Sequence, residues 1–177
     1  MQHSNSEKIM KKIIITLLLA VTPALFFGQS VFDKYDGIDE ITTVIVSKKM
    51  FEMMGNVKSN DKDTEQFLRL AKGIDKLQIF TTSDKKWVAD MKTTVNKHLK
   101  SNALEELMRV SDGGENVKIY INSGGSATKV KELLMFIEDG KSETVLISLT
   151  GNFDLNDLSV LGDKIPGGEQ LKKASKK

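Results

Sequence analysis

The sequence predicts an α+β fold: a largely antiparallel sheet of five or six strands, with helices packed mainly on one face. Four short apolar runs carry this prediction: Leu104–Val110, Val117–Ile121, Val130–Ile137 and Thr144–Leu149. Turns that contain glycine separate them: Asp112-Gly113-Gly114, Gly124-Gly125-Ser126 and Asp139-Gly140-Lys141. β-branched and aromatic residues between such turns are typical of an antiparallel meander. Strand and helix patterns precede it, so the expected order is β-α-α-β-α-β-β-β-β-α.

Residues 1–29 have the organisation of an N-terminal extension followed by a secretory signal peptide. Met10-Lys11-Lys12 is basic, Ile13–Phe27 is almost entirely apolar, and Gly28-Gln29-Ser30 supplies small residues for cleavage. The apolar run is shorter than the ~20 residues that span a bilayer. We therefore expect export to the periplasm or cell surface, with no membrane span after cleavage. An uncleaved segment that tethers the protein is the alternative.

The rest of the chain forms one domain, residues 30–165, followed by a flexible lysine-rich tail, residues 166–177. The formal net charge of +2 comes entirely from segment 1–29, which has three lysines and one glutamate. Four further lysines follow Gln170, so the body between them is acidic. An acidic body argues against nucleic-acid binding, which needs a basic face. The absence of cysteine excludes disulfides, so packing must supply the stability.

The first half of the domain alternates strand and helix signals. Ile41–Val46 is rich in β-branched residues and predicts a strand. Lys48–Met54 consists of helix formers, ends at Gly55-Asn56, and offers Met50, Met53 and Met54 as core filler. Asp61 or Asp63 can cap the next helix, which Gly73 closes in the C′ position.

A second strand and the clearest helix follow. Leu77–Thr82 alternates and predicts a strand. Ser83-Asp84 begins an amphipathic helix whose apolar residues recur every four positions: Trp87, Met91, Val95 and Leu99.

In the meander, Leu104–Val110 fits a helix or a strand, and the turn that follows favours a strand. Val130–Ile137 is apolar on both faces, which predicts a central strand or an oligomer contact through the sheet. Asp154 or Asn152 then caps a last helix that contains Leu155, Leu158 and Leu161.

Residues that could carry chemistry are few. His98 is the one histidine after residue 29, and a base in a Ser–His–Asp arrangement is conceivable. We expect instead a surface histidine that offsets the helix dipole. Gly124-Gly125-Ser126-Ala127-Thr128-Lys129 lacks the spacing of a phosphate-binding loop and predicts a turn.

The acidic residues do not form a recognisable site. Asn152, Asp154 and Asp157 lack the spacing of a calcium loop, and we expect them to cap and to face solvent. Glu105-Glu106 are neighbours in a strand and should point to opposite faces. Tyr120 is expected on an exposed sheet face beside Lys118, where it could mark a partner surface. We assign no catalytic, cofactor-binding or metal-binding residue.

Several segments together resemble a known family. They are Val44–Met50, Leu107–Val110, Asn116–Tyr120 and Leu149–Leu155, after a signal peptide that ends Phe27-Gly28-Gln29-Ser30. The pattern is similar to an uncharacterised family of small exported α+β domains found in Bacteroidetes. The resemblance covers the whole chain after the signal peptide, and it implies no catalytic residues.

These observations predict a non-catalytic envelope protein that binds or regulates another macromolecule, a protein or an envelope component. Self-association through the sheet is a possible form of this. The alternative is a hydrolase that uses carboxylates alone. It predicts a concave pocket with at least two acidic residues of perturbed pKa.

Overall fold

The computed structural model describes residues 30–56, 60–126, 128–140 and 143–161. The predicted signal peptide and lysine-rich tail lie outside these residues. At the start, the Ser30 amide donates to the Asp33 carboxylate at 2.9 Å, and the Asp33 amide donates to the Ser30 carbonyl at 3.0 Å. A 3₁₀ helix spans Asp33–Tyr35.

Six strands form one antiparallel sheet, which confirms the predicted fold class. They are β1 (Thr42–Ser47), β2 (Ile74–Thr82), β3 (Glu105–Asp112), β4 (Glu115–Asn122), β5 (Lys129–Asp139) and β6 (Thr144–Asp154). Their spatial order is β1-β2-β6-β5-β4-β3, with every neighbouring pair antiparallel. Strands β3 to β6 are the predicted meander. Because β2 joins beside β6 and β1 lies outside β2, the two edge strands among the described residues are β1 and β3.

In the part of the chain that the structure describes, three α-helices connect the strands in the predicted order. They are α1 (Lys48–Gly55), α2 (Lys62–Gly73) and α3 (Lys85–Ser101), and a second 3₁₀ helix spans Leu155–Leu161. Asp61 caps α2 by accepting from the Thr64 amide, and Asp84 caps α3 by accepting from two amides. The last predicted helix is therefore of the tighter 3₁₀ type. Strand β6 runs on to Asp154, so Asn152 lies within the strand.

One face of the sheet packs against α1, α2 and the C-terminal 3₁₀ helix. Along the middle of β4, β5 and β6 the odd-numbered residues form this face, and Ile119, Met135 and Ile147 among them are buried. They share one apolar cluster with the inward residues of the helices: Phe51, Leu70, Ala71 and Leu158. β5 is the central strand that its two apolar faces predicted, since Leu133–Ile137 is buried throughout.

The opposite face of the sheet lies under α3. From Glu132 onward the even-numbered residues of β5 point to this face, and two of them bond to α3: Glu132 to His98 and Glu138 to Lys92. Between these two points, Met91 and Val95 of α3 are buried, as are Leu134 and Phe136 of β5. The predicted amphipathic helix thus covers the second face, and the middle of the sheet is buried on both sides.

Two glycines allow α2 to run directly into β2 across β6. We predicted Gly73 as a C′ residue, but it is the last residue of α2, and β2 begins at once with Ile74. A Cβ on Gly73 would lie 2.6 Å from the Asn152 carbonyl oxygen. A Cβ on Gly151 would lie 2.1 Å from the Gly73 carbonyl oxygen, and the φ of Gly151 is +157°. Glycine is required here because two backbones meet more closely than any side chain permits.

Candidate functional site

His98 is anchored to the sheet and is not the surface residue that we predicted. Its side chain is 14% exposed, and Nε2 lies 2.6 Å from Oε1 of Glu132, which is equally buried. Nδ1 lies 3.0 Å from the side-chain amide nitrogen of Asn102. This amide donates to Nδ1, so Nε2 carries the hydrogen and donates to Glu132. The pair fixes the C-terminal turn of α3 to β5.

A second polar cluster lies under the N-terminal half of α3. The Tyr35 side chain is fully buried, and its hydroxyl donates to Oδ1 of Asp90 at 2.8 Å. The buried Thr94 hydroxyl donates to the Tyr35 oxygen at 2.9 Å, and Lys34 also bonds to Asp90. The Tyr35 ring meets Phe80 edge to face at 5.5 Å. Every member has a partner, so the cluster locks α3 to the chain before β1.

The pKa values in this cluster are shifted in opposite directions. Burial raises the pKa of Tyr35 far above its ordinary value, and the bond to Asp90 adds to the shift. The hydrogen bond from Lys34, followed by that from Tyr35, holds the pKa of Asp90 below its ordinary value. Tyr35 is therefore a neutral donor to an ionised carboxylate at neutral pH, which is a structural role.

Tyr120 is half-buried, whereas we predicted an exposed ring. It lines a cleft of about 210 Å³ under α3 with Lys92, Val95, Lys118 and Phe136. Burial raises the pKa of its phenol, and the nearby Glu106 charge adds to the shift. Helix α3 passes over β4 and covers the face that the alternation of β4 had suggested was open. The Tyr120 ring therefore lies in a cleft and not on an open face of the sheet.

A larger cleft of about 370 Å³ lies between α3 and the end of the β5–β6 hairpin. Glu138 and Asp139 both line it, so it contains the two acidic residues that a carboxylate hydrolase needs. Glu138, however, forms an ion pair with Lys92, and Asp139 follows it directly in β5. Consecutive strand residues point to opposite faces, so the two carboxylates do not face each other. The aspartates whose pKa is lowered, Asp61 and Asp90, lie elsewhere.

The other residues that the sequence singled out have local partners. The glycine-bearing segment forms the β4–β5 connection, where the Ser126 hydroxyl accepts from the Lys129 amide at 3.0 Å. Asp154 accepts from the Asn156 amide at 3.0 Å, and Asp157 pairs with Arg69 at 3.6 Å.

Glu105 and Glu106 lie opposite Ile121 and Tyr120 respectively, so they point to different faces as predicted. Among residues 30–56, 60–126, 128–140 and 143–161, no three histidine or acidic side chains converge as a metal site would require. The helices in these same ranges include none that is both long and apolar enough to cross a membrane.

The two edge strands differ sharply in charge. β3 contains four charged residues: Glu105, Glu106, Arg109 and Asp112. β1 has the sequence Thr-Thr-Val-Ile-Val-Ser and contains none. Within the described part of the chain β1 pairs only with β2, so the N–H and C=O groups along its outer side have no strand partner. Natural sheets usually protect such an edge with charges, proline or a bulge, and β1 uses none of these.

Exposed apolar side chains are concentrated at this unprotected edge. Val44 and Ile45 are 46% and 40% exposed, although they occupy the middle of β1. Helix α1 follows without an intervening residue, and its Met50 and Met53 are 46% and 56% exposed. Core packing was the prediction for these two methionines; it is wrong for them, because the inward positions of α1 belong to Phe51 and Met54. We call Val44, Ile45, Met50 and Met53 the β1 edge surface.

Reasoning from the sequence missed the partners that give His98 and Tyr35 their roles. Glu132 lies 34 residues from His98, and Asp90 lies 55 residues from Tyr35. No local spacing reports such distant pairs. The edge position of β1 was also missed, because a strand without charged residues is more typical of the interior of a sheet.

Comparison with known proteins gives a family without an assigned activity. The model of a domain of unknown function, DUF4252, matches residues 35–161, which include all six strands. No curated protein has significant similarity to the chain. The same holds for solved structures. Because the match covers most of the sequence, the chain belongs to the DUF4252 family.

Proposed function

We propose that this chain is an exported, non-catalytic binding module that contacts another protein through the β1 edge surface. The observation that carries the proposal is the edge itself: an uncharged strand with exposed apolar side chains, open to an added strand. Strand addition supplies affinity through main-chain hydrogen bonds and specificity through alternate side chains. Methionines beside the edge suit such contacts because their flexible side chains adapt to a partner.

The remainder of the molecule supports a binding role over catalysis. His98 and Tyr35 are both engaged in contacts that hold α3 to the body. The carboxylates of the larger cleft belong to one strand and do not form a facing pair. The alternative of a carboxylate hydrolase therefore lacks the facing pair of carboxylates that it requires.

Export rests on the sequence of residues 1–29, with the periplasm or cell surface as the destination and a Bacteroidetes origin implied by the family resemblance. The mass of the protein recovered from cells tests this directly. We expect a chain that begins near Gly28 to Ser30. A mass that includes residues 10–27 would show the membrane-tethered alternative instead.

The binding role is tested by placing a photo-crosslinking amino acid at successive positions of β1. We expect Thr43, Val44, Ile45 and Val46 to link to successive residues of a single partner segment, as a paired strand requires. The matched control places the crosslinker at Glu105 of the charged β3 edge, where no adduct is expected. Adducts from β3 and none from β1 would refute the assignment of the surface.

A further inference from the structure

We propose that the occupant of the β1 edge is a second copy of this chain, paired antiparallel so that two six-stranded sheets become one continuous sheet. This inference rests on the proposed function because it uses the same surface and names the partner. An isologous contact of this kind needs a strand that is complementary to itself about a two-fold axis. The sequence and register of β1 meet that requirement.

Geometry restricts the possible registers to a few. In an antiparallel pair, opposed residues are either both hydrogen-bonded to the partner strand or both not. Residues next to each other in β1 alternate in this respect, so a residue cannot pair with its own neighbour in the second copy. A single residue must therefore lie on the two-fold axis and face itself.

Charge selects among these registers. With Val44 on the axis, Glu40, in the turn before β1 of one copy, comes near Lys48, the first residue of α1 of the other copy, at both ends of the paired segment. Within its own chain Lys48 also pairs with the exposed Asp75 at 2.8 Å. A shift to Thr43 places Glu40 opposite Val46, and a shift to Ile45 places Lys48 opposite Thr42. Glu40 and Lys48 are both exposed. Of these three registers, only the Val44 register brings opposite charges together. The two-fold axis repeats this pair of charges at the other end of the strand.

The side chains between these charges also match in this register. On one face Val44 meets its own copy and Thr42 meets Val46, while on the other face Thr43 meets Ile45. Pairs of β-branched residues directly opposite each other stabilise antiparallel strands. The residues that are exposed in the single chain thus become the centre of the contact. The charged β3 edge offers no equivalent, because it has acidic residues at both ends.

The test measures the mass of the purified protein by sedimentation from about 1 µM to about 500 µM, where contacts of less than standard size dissociate. We expect a monomer that becomes a dimer as concentration rises. Ile45→Lys should raise the concentration at which half of the protein is dimeric at least about tenfold, because it buries a charge at the contact. Glu105→Lys also introduces a lysine, on the opposite edge, and should leave the dimer unchanged. Thermal unfolding of each variant verifies that it is folded.

A charge exchange tests the register itself. Glu40→Lys and Lys48→Glu should each weaken the dimer by about three- to tenfold, because each variant creates two like-charge pairs. The double variant should return to within about twofold of the original, because it restores both pairs with reversed sign. Double variants that stay weak would overturn the Val44 register.

Two further results would overturn the inference. One is a monomer at every concentration, and the other is a dimer that Ile45→Lys leaves intact. The first result leaves the proposed function standing if crosslinks from β1 reach a different protein in cells. The absence of any crosslink from β1 would refute both the proposed function and the dimer.

Discussion

Replacing Tyr35 by phenylalanine tests whether the buried hydroxyl holds α3 to the chain before β1. The substitution removes one oxygen and keeps the ring against Phe80. It deletes the bond to the Asp90 carboxylate and leaves Thr94 without its acceptor at the tyrosine oxygen. The cost therefore measures the hydrogen bonds separately from apolar packing.

The structure sets the expected magnitude. A hydrogen bond to a charged group contributes about 1.5–3 kcal/mol. The Asp90 side chain is 42% exposed and keeps its bond to Lys34, so water and the lysine compensate for part of the loss. We expect a loss of about 1.5 kcal/mol in the free energy of unfolding. For a domain of this size, that corresponds to a fall in Tm of about 3–6 °C.

The pH dependence gives an independent signature. The pKa of Tyr35 is raised on folding, so above pH ~10 the unfolded chain loses this proton while the folded protein keeps it. The original protein should therefore lose stability as pH rises past ~10, and Tyr35→Phe should lack this part of the loss. The pKa of Asp90 is lowered on folding, so its contribution is present above ~pH 4 and is lost as pH falls further.

Urea unfolding at neutral pH, near pH 3 and near pH 10.5 measures these effects. The difference in the free energy of unfolding between the original protein and Tyr35→Phe should be largest at neutral pH and should become smaller at both the acidic and the alkaline pH. A difference below about 0.5 kcal/mol at neutral pH, or a gap that does not change with pH, would refute the reasoning, because a hydrogen bond to a charged group costs about 1.5 kcal/mol or more to lose.

Three other substitutions test separate features. Gly151→Ala should lower the free energy of unfolding by at least about 3 kcal/mol, because its Cβ would overlap backbone atoms. Gly113→Ala should lower it by about 1–2 kcal/mol, because φ is +56° there but the space is open. Equal losses in urea unfolding would contradict the steric argument. Ala103→Gly should raise Tm by about 1–4 °C, because Ala103 has a φ of +49° at the end of α3; an unchanged or lower Tm would show that no strain is relieved. His98→Ala should lower the free energy of unfolding by about 1–3 kcal/mol, because it leaves Glu132 without its partner on α3. Amide hydrogen exchange at the C-terminal turn of α3 should become faster, and unchanged exchange would contradict an anchoring role.

Local signals in the sequence predicted the elements, and the structure supplied their neighbours. The alternation in β4, the glycine turns of the meander and the start of α3 at Ser83-Asp84 are all short-range patterns, and all were predicted. The end of α2 was misjudged because a glycine after an apolar run usually closes a helix. Gly73 is present for a different reason, which is close approach to β6.

The candidate site was less predictable because it depends on which strand lies at the edge. β1 and β2 have similar apolar patterns, and only the order of strands shows that β1 is open on one side. Tyr120 illustrates the same limit: its phase in β4 was correct, but a helix more than 20 residues earlier in the chain covers that face. Sequence patterns report a residue's face, whereas exposure depends on what the fold places over it.

Amide hydrogen exchange of β1 tests the central claim most directly. At the lowest protein concentration, the outward amides of Thr42–Ser47 should exchange quickly, since the described chain gives them no strand partner. As concentration rises, the same amides should become protected, while those of β3 keep their original rates. Two results would contradict the account. One is protection of the β3 amides as concentration rises. The other is fast exchange of the β1 amides at every concentration, both alone and with any partner that crosslinks to β1.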